Sequence, residues 1–179
     1  MKKAFSTNIK PKKFEKSKGW EIEFPTSIAR LLLLVGVPKG KKVFKNFRVP
    51  GWIRNGSKEI KISFVRALFD DEGWIKIKRN PKTKSTKRII GINMSKNETL
   101  LESHKIFFED IRKLLDELNI SSSKVAYMGK TKNGISLGFV ISNFKNLKLF
   151  SEIVSFSSPL KRQKLFDCLD SFKRTTSKV

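Results

Sequence analysis

The fold is best predicted from one stretch of the sequence, VRALFDDEG at residues 65–73. Upstream of it, apolar or small side chains recur at helical spacing, at Ile60, Phe64, Ala67 and Leu68. Ser57 is a favourable N-cap and Gly73 a favourable stop, so a helix is predicted from Lys58 to about Asp71. Three consecutive carboxylates end this helix, where they oppose its dipole. Because acids at this position do not favour the helix itself, the pattern indicates a functional role.

Two hairpins and further helices are predicted downstream of this helix. Apolar and polar residues alternate in four segments, Trp74–Lys78, Lys87–Ser95, Lys124–Gly129 and Ile135–Ile141. Helices are predicted from a capping box at residues 95–98 to about Leu118, at Asn143–Val154 and at Leu160–Phe172. This order predicts an α+β unit of αββαββα type. Its four-stranded antiparallel sheet has helices on one face and leaves the other face open.

The sequence predicts three regions: a basic N-terminal segment at 1–56, the main domain at 57–173 and a flexible tail at 174–179. Within the first region a weak strand is predicted at Ala4–Ile9, a strand at Trp20–Phe24 and a helix at Ile28–Val35. Its order of strand, short helix and basic cluster recurs at residues 134–164. This weak repetition suggests that the N-terminal segment is the remnant of an earlier copy of the same unit.

Charge and composition favour a polyanionic partner. The chain has 39 Lys plus Arg against 16 Asp plus Glu, a net charge of +23, which disfavours a neutral metabolic enzyme. Cations cluster on the predicted strands and their loops, at Lys76, Lys78, Arg79, Lys82, Lys84, Lys87, Arg88, Lys124, Lys130 and Lys132. We therefore expect these residues to contact nucleic acid. The lack of a signal peptide or a long apolar run predicts an intracellular, cytoplasmic protein with no membrane partner.

The chain has only one cysteine and one histidine, which limits the catalytic and metal-binding chemistry it can carry. One cysteine, Cys168, excludes an internal disulfide and a cysteine-based zinc site, and it is predicted in the core. One histidine, His104, makes serine–histidine–aspartate chemistry improbable, and it is predicted as a partly exposed helix residue. A catalytic metal would therefore need oxygen ligands.

The stretch at residues 65–73 resembles the LAGLIDADG signature of homing endonucleases. Its surroundings, from PGWI at 50–53 to Trp74, are similar to the second such motif in archaeal intron and intein endonucleases. SSPLKRQKL at 157–165 is similar to the basic C-terminal stretch of the family. The motif departs from the family pattern at three positions: Val65 replaces Leu, Ala67 replaces Gly, and Glu72 replaces the commoner Asp.

This resemblance implies a site-specific endonuclease that cleaves both strands of DNA with Mg²⁺ (or Mn²⁺). Glu72 matches the penultimate acid that binds the metal, with Gly73 beside it, whereas Asp70 and Asp71 are expected to cap or to be solvated. Lys161 is the candidate for the catalytic lysine, and Lys41 and Lys42 are weaker candidates. Because motif helices pair in this family, the resemblance also implies a homodimer that forms through Phe64, Ala67 and Leu68.

Alternatives remain open because only one motif is found, whereas the family needs two motif helices. Either the protein is a dimer with an N-terminal extension, or it is a split or truncated copy that needs a partner. The same fold also suits a binder that does not cleave, such as an RNA maturase or a DNA-binding regulator. A small RNA-binding protein would explain the charge but not the motif.

Overall fold

The computed structural model describes residues 12–13, 20–21, 23–83, 85–132 and 134–176. The strand expected at Ala4–Ile9, the expected DNA contact Lys84 and the last three residues lie outside this description. Two compact units divide the chain, Met1–Lys39 and Gly40–Val179. The division thus falls earlier than the boundary expected after residue 56, because Phe47, Val49 and Ile53 pack with the core of the larger unit.

In the smaller unit, the described residues form a two-stranded bridge and one helix. Strand β1 (Lys12–Lys13) pairs antiparallel with β2 (Trp20–Glu21), so the expected strand at Trp20–Phe24 does not extend through residues 23–24. Helix α1 runs over Thr26–Leu34, close to its predicted bounds. Ile28 is its buried residue, and Leu34 is 82% exposed.

The larger unit contains five helices and four strands within the described residues. In chain order they are α2 (Gly51–Arg54), α3 (Lys58–Glu72), β3 (Gly73–Arg79), β4 (Thr86–Lys96), α4 (Leu101–Glu117), β5 (Ala126–Thr131), β6 (Gly134–Ser142), α5 (Phe144–Leu149) and α6 (Pro159–Thr176). Short 3₁₀ segments at Lys42–Phe44 and Glu98–Leu100 and a π-helical turn at Phe150–Val154 complete it. Helix α2 was not predicted, because four residues are too few to show a helical period.

The four strands form one antiparallel sheet in the order β3-β4-β6-β5, which confirms the predicted α+β fold. The apolar core lies on one face, where Ile75, Ile90 and Ile141 stand side by side across three strands. Helix α4 packs its expected stripe against this core: Phe108, Ile111, Leu115 and Leu118 are buried. Cys168 is buried as predicted. The opposite face of the sheet, called here the open face, has no residue of the buried core cluster.

Three local predictions need correction. The residue that caps the turn before α4 is Asn97, whose side chain accepts a hydrogen bond from the Thr99 N–H, because Ser95 is still paired within β4. His104 is buried rather than partly exposed, since its Nε2 lies 2.8 Å from the Met94 carbonyl and burial lowers the pKa of its imidazole. Helix α6 continues to Thr176, beyond the expected start of the tail.

Lys96 ends β4 in an unusual environment for a lysine, because it is only 2% exposed. Its Nζ donates a hydrogen bond of 2.8 Å to the Lys42 carbonyl and lies 3.7 Å from the centre of the Phe47 ring. Burial, reinforced by the Lys42 ammonium, lowers the pKa of Lys96 from the ordinary 10.5 to about 8. The folded state therefore disfavours the charged form of this side chain.

Replacing Lys96 by Met should raise the free energy of unfolding at about pH 7 by roughly 1–2 kcal/mol, since solvent screens part of the full effect. The cost of burying the ammonium is complete below pH 8 and disappears as the pH rises to 10.5, where lysine is neutral in both states. The difference between variant and wild type should therefore close over that range in urea melts. Lys113→Met, at an exposed position of α4, is the control. A pH-independent difference would contradict the prediction.

Candidate catalytic and nucleic-acid-binding site

The candidate site is built at the junction between α3 and β3. Val65 and Phe69 anchor α3 in the core, since both are fully buried. Gly73 begins β3 directly after the helix, and a Cβ added there would lie 2.5 Å from the Phe69 carbonyl oxygen. Only glycine fits this turn without displacing the helix end. The junction therefore fixes the position of the three acids that precede Gly73.

The three acids have different environments. The Asp70 carboxylate accepts hydrogen bonds from the backbone N–H of Ser157, at 2.9 and 3.0 Å, and of Ser158, at 3.3 Å. It thereby fixes the loop before α6. The Asp71 side chain is 70% exposed and the Glu72 side chain 30% exposed. Glu72 is thus the less solvated of the two acids that do not cap backbone groups.

Lys161 reaches the same helix end from the first turn of α6. Its Nζ donates hydrogen bonds to the carbonyl oxygens of Phe69, at 3.1 Å, and Asp70, at 2.6 Å. These carbonyls belong to the last turn of α3, where a cation also compensates the helix dipole. The structure therefore brings Lys161 to the C-terminal end of α3, the end that also carries Glu72.

Lys42, a weaker candidate than Lys161 from the sequence, contacts the acids directly. Its Nζ lies 3.4 Å from Glu72 Oε1 and 3.6 Å from Asp71 Oδ2. Lys41, the other weaker candidate, is exposed. Two ammonium groups and two carboxylates are therefore collected at one end of α3.

The donors at this helix end suit part of a Mg²⁺ site. Magnesium prefers oxygen ligands and often uses one or two carboxylates together with water and substrate phosphate oxygens. Glu72 supplies such a carboxylate, whereas the neighbouring Asp71 is mostly exposed to solvent. Within the described part of the chain, however, no group of three or more His, Cys, Asp or Glu side chains is arranged to hold an ion. The described residues of one copy therefore provide only part of a Mg²⁺ donor set.

The open face presents three of the expected DNA-binding lysines. Lys76, Lys78 and Lys87 are exposed, and the register places them on the face opposite the core. Further expected residues are exposed at the edges of the sheet and in its loops, namely Arg79, Lys82, Lys124, Lys130 and Lys132. Among these, Lys130 forms an ion pair with Glu98, with 3.4 Å between Lys130 Nζ and Glu98 Oε1.

Arg88 departs from the expectation that it contacts nucleic acid. Its Nε donates to Ser171 Oγ at 2.7 Å and its Nη2 to the Ser171 carbonyl at 2.6 Å. Its guanidinium also lies 4.3 Å from the centre of the Phe172 ring. Arg88 therefore ties α6 to β4 on the helix-bearing face. Alternation along β4 assigns Arg88 to the core face, but the packing of Ser171 and Phe172 of α6 against that position could not be predicted from the sequence.

The expected interface residues divide into two kinds. Phe64 and Leu68 are half-buried and pack against the core, whereas Ala67 is exposed. Ile60, about two helical turns before Ala67, is 39% exposed. Helix α3 thus has an exposed, partly apolar face around Ala67.

Comparisons with known proteins give matches to short parts of long archaeal proteins. No protein-family model matches the chain. It is 33% identical over 140 residues to the tRNA-splicing ligase RtcB of Pyrococcus abyssi, which covers 77% of this chain and 14% of that protein. It is 32% identical over 124 residues to the replication factor C small subunit of Methanocaldococcus jannaschii, and the match covers 69% of this chain and 6% of that protein. It is 26% identical over 156 residues to the DNA-directed RNA polymerase subunit Rpo1N of the same organism, and the match covers 86% of this chain and 11% of that protein. The chain thus spans a small fraction of each relative's length.

Similar solved structures are LAGLIDADG proteins with bound DNA. The LAGLIDADG meganuclease I-CpaMI bound to uncleaved DNA has a TM-score of 0.42 and 20% identity, over 64% of this chain and 39% of that chain. The LAGLIDADG homing endonuclease I-GzeII in complex with its DNA target has a TM-score of 0.43 and 14% identity, over 87% of this chain and 46% of that chain. Among the described residues no helix is long and apolar enough to cross a membrane.

Proposed function

We propose that this chain is a LAGLIDADG-type, metal-dependent DNA endonuclease that cuts both strands at a specific site. The collection of Glu72, Lys42 and Lys161 at the end of α3 supports this proposal most strongly. A basic open face begins at the same junction, because β3 follows α3 without a loop. Duplex DNA bound along that face would have a phosphate close to the acids.

In this proposal each residue at the helix end has a defined role. Glu72, with the Gly73 carbonyl beside it, would hold the divalent ion. A divalent ion held there would supply Lewis-acid chemistry, activating water and neutralising charge on the phosphate. Lys161, oriented by the Phe69 and Asp70 carbonyls, would stabilise negative charge on the phosphate. Lys42 would orient the Glu72 carboxylate and could also contact the phosphate.

Cleavage of two strands requires two such sites, so we propose that a second copy packs on the exposed face of α3 around Ala67. Two motif helices side by side would bring together two Glu72 carboxylates and so extend the partial donor set formed by the described residues of one copy. The proposal also treats the smaller unit as the remnant of an earlier copy. A DNA substrate implies an intracellular location.

The pattern of relatives supports a mobile module of the intron or intein homing type. Each of the three relatives matches more than two thirds of this chain, so the matched segments of this chain overlap. The relatives have three unrelated names, and the match covers at most 14% of any of them. A segment that recurs inside unrelated proteins is not tied to the activity of any one of them.

The second candidate is a nucleic-acid binder of the same fold that does not cleave, either an RNA maturase or a DNA-binding regulator. It is favoured by one observation: the described residues of a single copy contain no complete metal-binding group. The two candidates share DNA or RNA binding and differ in metal-dependent cleavage.

Binding to duplex DNA should weaken steeply with salt, with a log–log slope steeper than about −4, since each neutralised phosphate contributes about −0.9. Replacing Lys76, Lys78 and Lys87 together by Gln should make the slope shallower by about 2–3. A matched triple variant at exposed lysines of the helical layer, Lys105, Lys113 and Lys148, should leave it unchanged. Fluorescence anisotropy at several salt concentrations measures the slope. A wild-type slope near zero, or equal effects of both triples, would contradict nucleic-acid binding by the open face.

A further inference from the structure

A hydrogen-bonded group of three side chains crosses the centre of the open face. Trp74 on β3 donates its Nε1–H to Oδ1 of Asn93 on β4 at 2.6 Å. Asn93 Nδ2 in turn donates to Oγ of Ser136 on β6 at 3.0 Å. The register places all three on the face opposite the core. The amide of Asn93 is therefore held from both neighbouring strands.

The backbone makes room for this arrangement through two glycines on the same face. A Cβ at Gly91, which pairs with Trp74, would lie 2.2 Å from Trp74 Cζ2, so the indole lies directly across that glycine. A Cβ at Gly138, which pairs with Asn93, would lie 2.7 Å from the Asn93 Cβ. Any larger residue at either position would displace the tryptophan or the asparagine.

The chemistry of the indole determines which way the amide faces. An indole N–H can only donate, so the group that meets it must be the amide oxygen and not the NH₂. The Oδ1 of Asn93 accepts two hydrogen bonds and Nδ2 donates two. Trp74 occupies one acceptor site of Oδ1, and Ser136 accepts one N–H of Nδ2. Among the described residues, one acceptor site of Oδ1 and one N–H of Nδ2 therefore remain, on a half-buried side chain whose orientation is fixed.

We infer that Asn93 reads one adenine in the major groove of the bound DNA, with Trp74 and Ser136 as its positioning residues. In the major groove adenine presents an acceptor, N7, beside a donor, N6–H₂, which together complement the remaining N–H and acceptor of the amide. Such readout requires duplex DNA, since the major groove of an RNA helix is too deep and narrow for side chains. The inference rests on the proposed function, because it assumes that the open face binds DNA.

Selection of bound duplexes from a random DNA library, followed by sequencing, tests this inference. The wild type should select a site with one adenine position that depends on Asn93. At that position alone, Asn93→Asp should change the preference from adenine to cytosine, because a carboxylate only accepts and cytosine presents the N4–H₂ donor. Trp74→Phe, which keeps the ring but removes the N–H, should reduce the preference for adenine about tenfold or more while changing other positions little.

The controls separate this inference from the proposed function. Ser142→Ala removes an exposed hydroxyl from the same face and should leave the adenine position unchanged. Circular dichroism melts confirm that each variant is folded. If the wild type selects a DNA site but no position responds to Asn93→Asp and Trp74→Phe, the inference is wrong and the proposed function stands. If the wild type binds no duplex DNA, or prefers RNA of the same sequence, both fail.

Discussion

Glu72→Gln should reduce DNA cleavage by at least about a hundredfold while changing affinity for the DNA site only a few-fold. Glutamine keeps the size of the side chain but loses the charge that would hold a divalent ion beside the phosphate. Affinity should be retained because the open-face lysines, rather than Glu72, neutralise the DNA backbone. Removing an acid also lowers repulsion of the phosphates, so a slight gain in affinity is compatible with the prediction.

Two neighbouring acids provide matched controls for this variant. Asp71→Asn removes the 70%-exposed carboxylate next to Glu72 and should keep cleavage within a few-fold. Asp70→Asn should act on stability instead, because its carboxylate caps the backbone N–H groups of Ser157 and Ser158. Single-turnover cleavage and thermal melts distinguish these outcomes. Mg²⁺-dependent cleavage by Glu72→Gln at the wild-type rate would remove Glu72 from the site.

Ala67→Trp should separate the two copies and abolish double-strand cleavage. Ala67 is exposed on α3, so a bulky side chain there is tolerated by the folded single copy but not by a closely packed second helix. Overpacking of this kind costs about 1–3 kcal/mol, which weakens association roughly tenfold to a hundredfold. Because a twofold interface contains the same position from both copies, each dimer would contain two tryptophans.

Equilibrium sedimentation, with and without DNA, measures this effect. The wild type should be dimeric on its DNA, and the variant monomeric at low micromolar concentration with an unchanged melting temperature. Ala29→Trp, at an exposed alanine of α1, should change neither mass nor cleavage. A wild-type protein that cuts both strands as a monomer would refute the homodimer.

Much of the fold could be predicted because its elements have strong local patterns. The stripe on α4, from Phe108 to Leu118, has helical spacing, and the strands at Trp74–Lys78 and Ile135–Ile141 alternate. Each periodicity directly specifies one face of one element. The sequence also singles out the acids before Gly73 as a candidate site, because three carboxylates at the C-terminal end of a helix oppose its dipole.

The remaining features depend on contacts between residues distant in sequence. His104 has ordinary helical neighbours, and its burial follows from the carbonyl of Met94 that meets it across the core. The role of Asp70 as a cap depends on a loop 87 residues later in the chain. The hydrogen bonds of Asn93 require strand register, and register is set by the whole sheet. No local pattern in the sequence indicates any of these contacts.

The most direct test of the account is plasmid cleavage at the site recovered by selection. The site is placed once in a supercoiled plasmid, and saturating protein is added with Mg²⁺ or with EDTA. We predict a linear product cut within the site in Mg²⁺ and intact plasmid in EDTA. Intact plasmid in Mg²⁺, at protein concentrations that fill the site with two copies, would contradict the endonuclease and leave a binder that does not cleave.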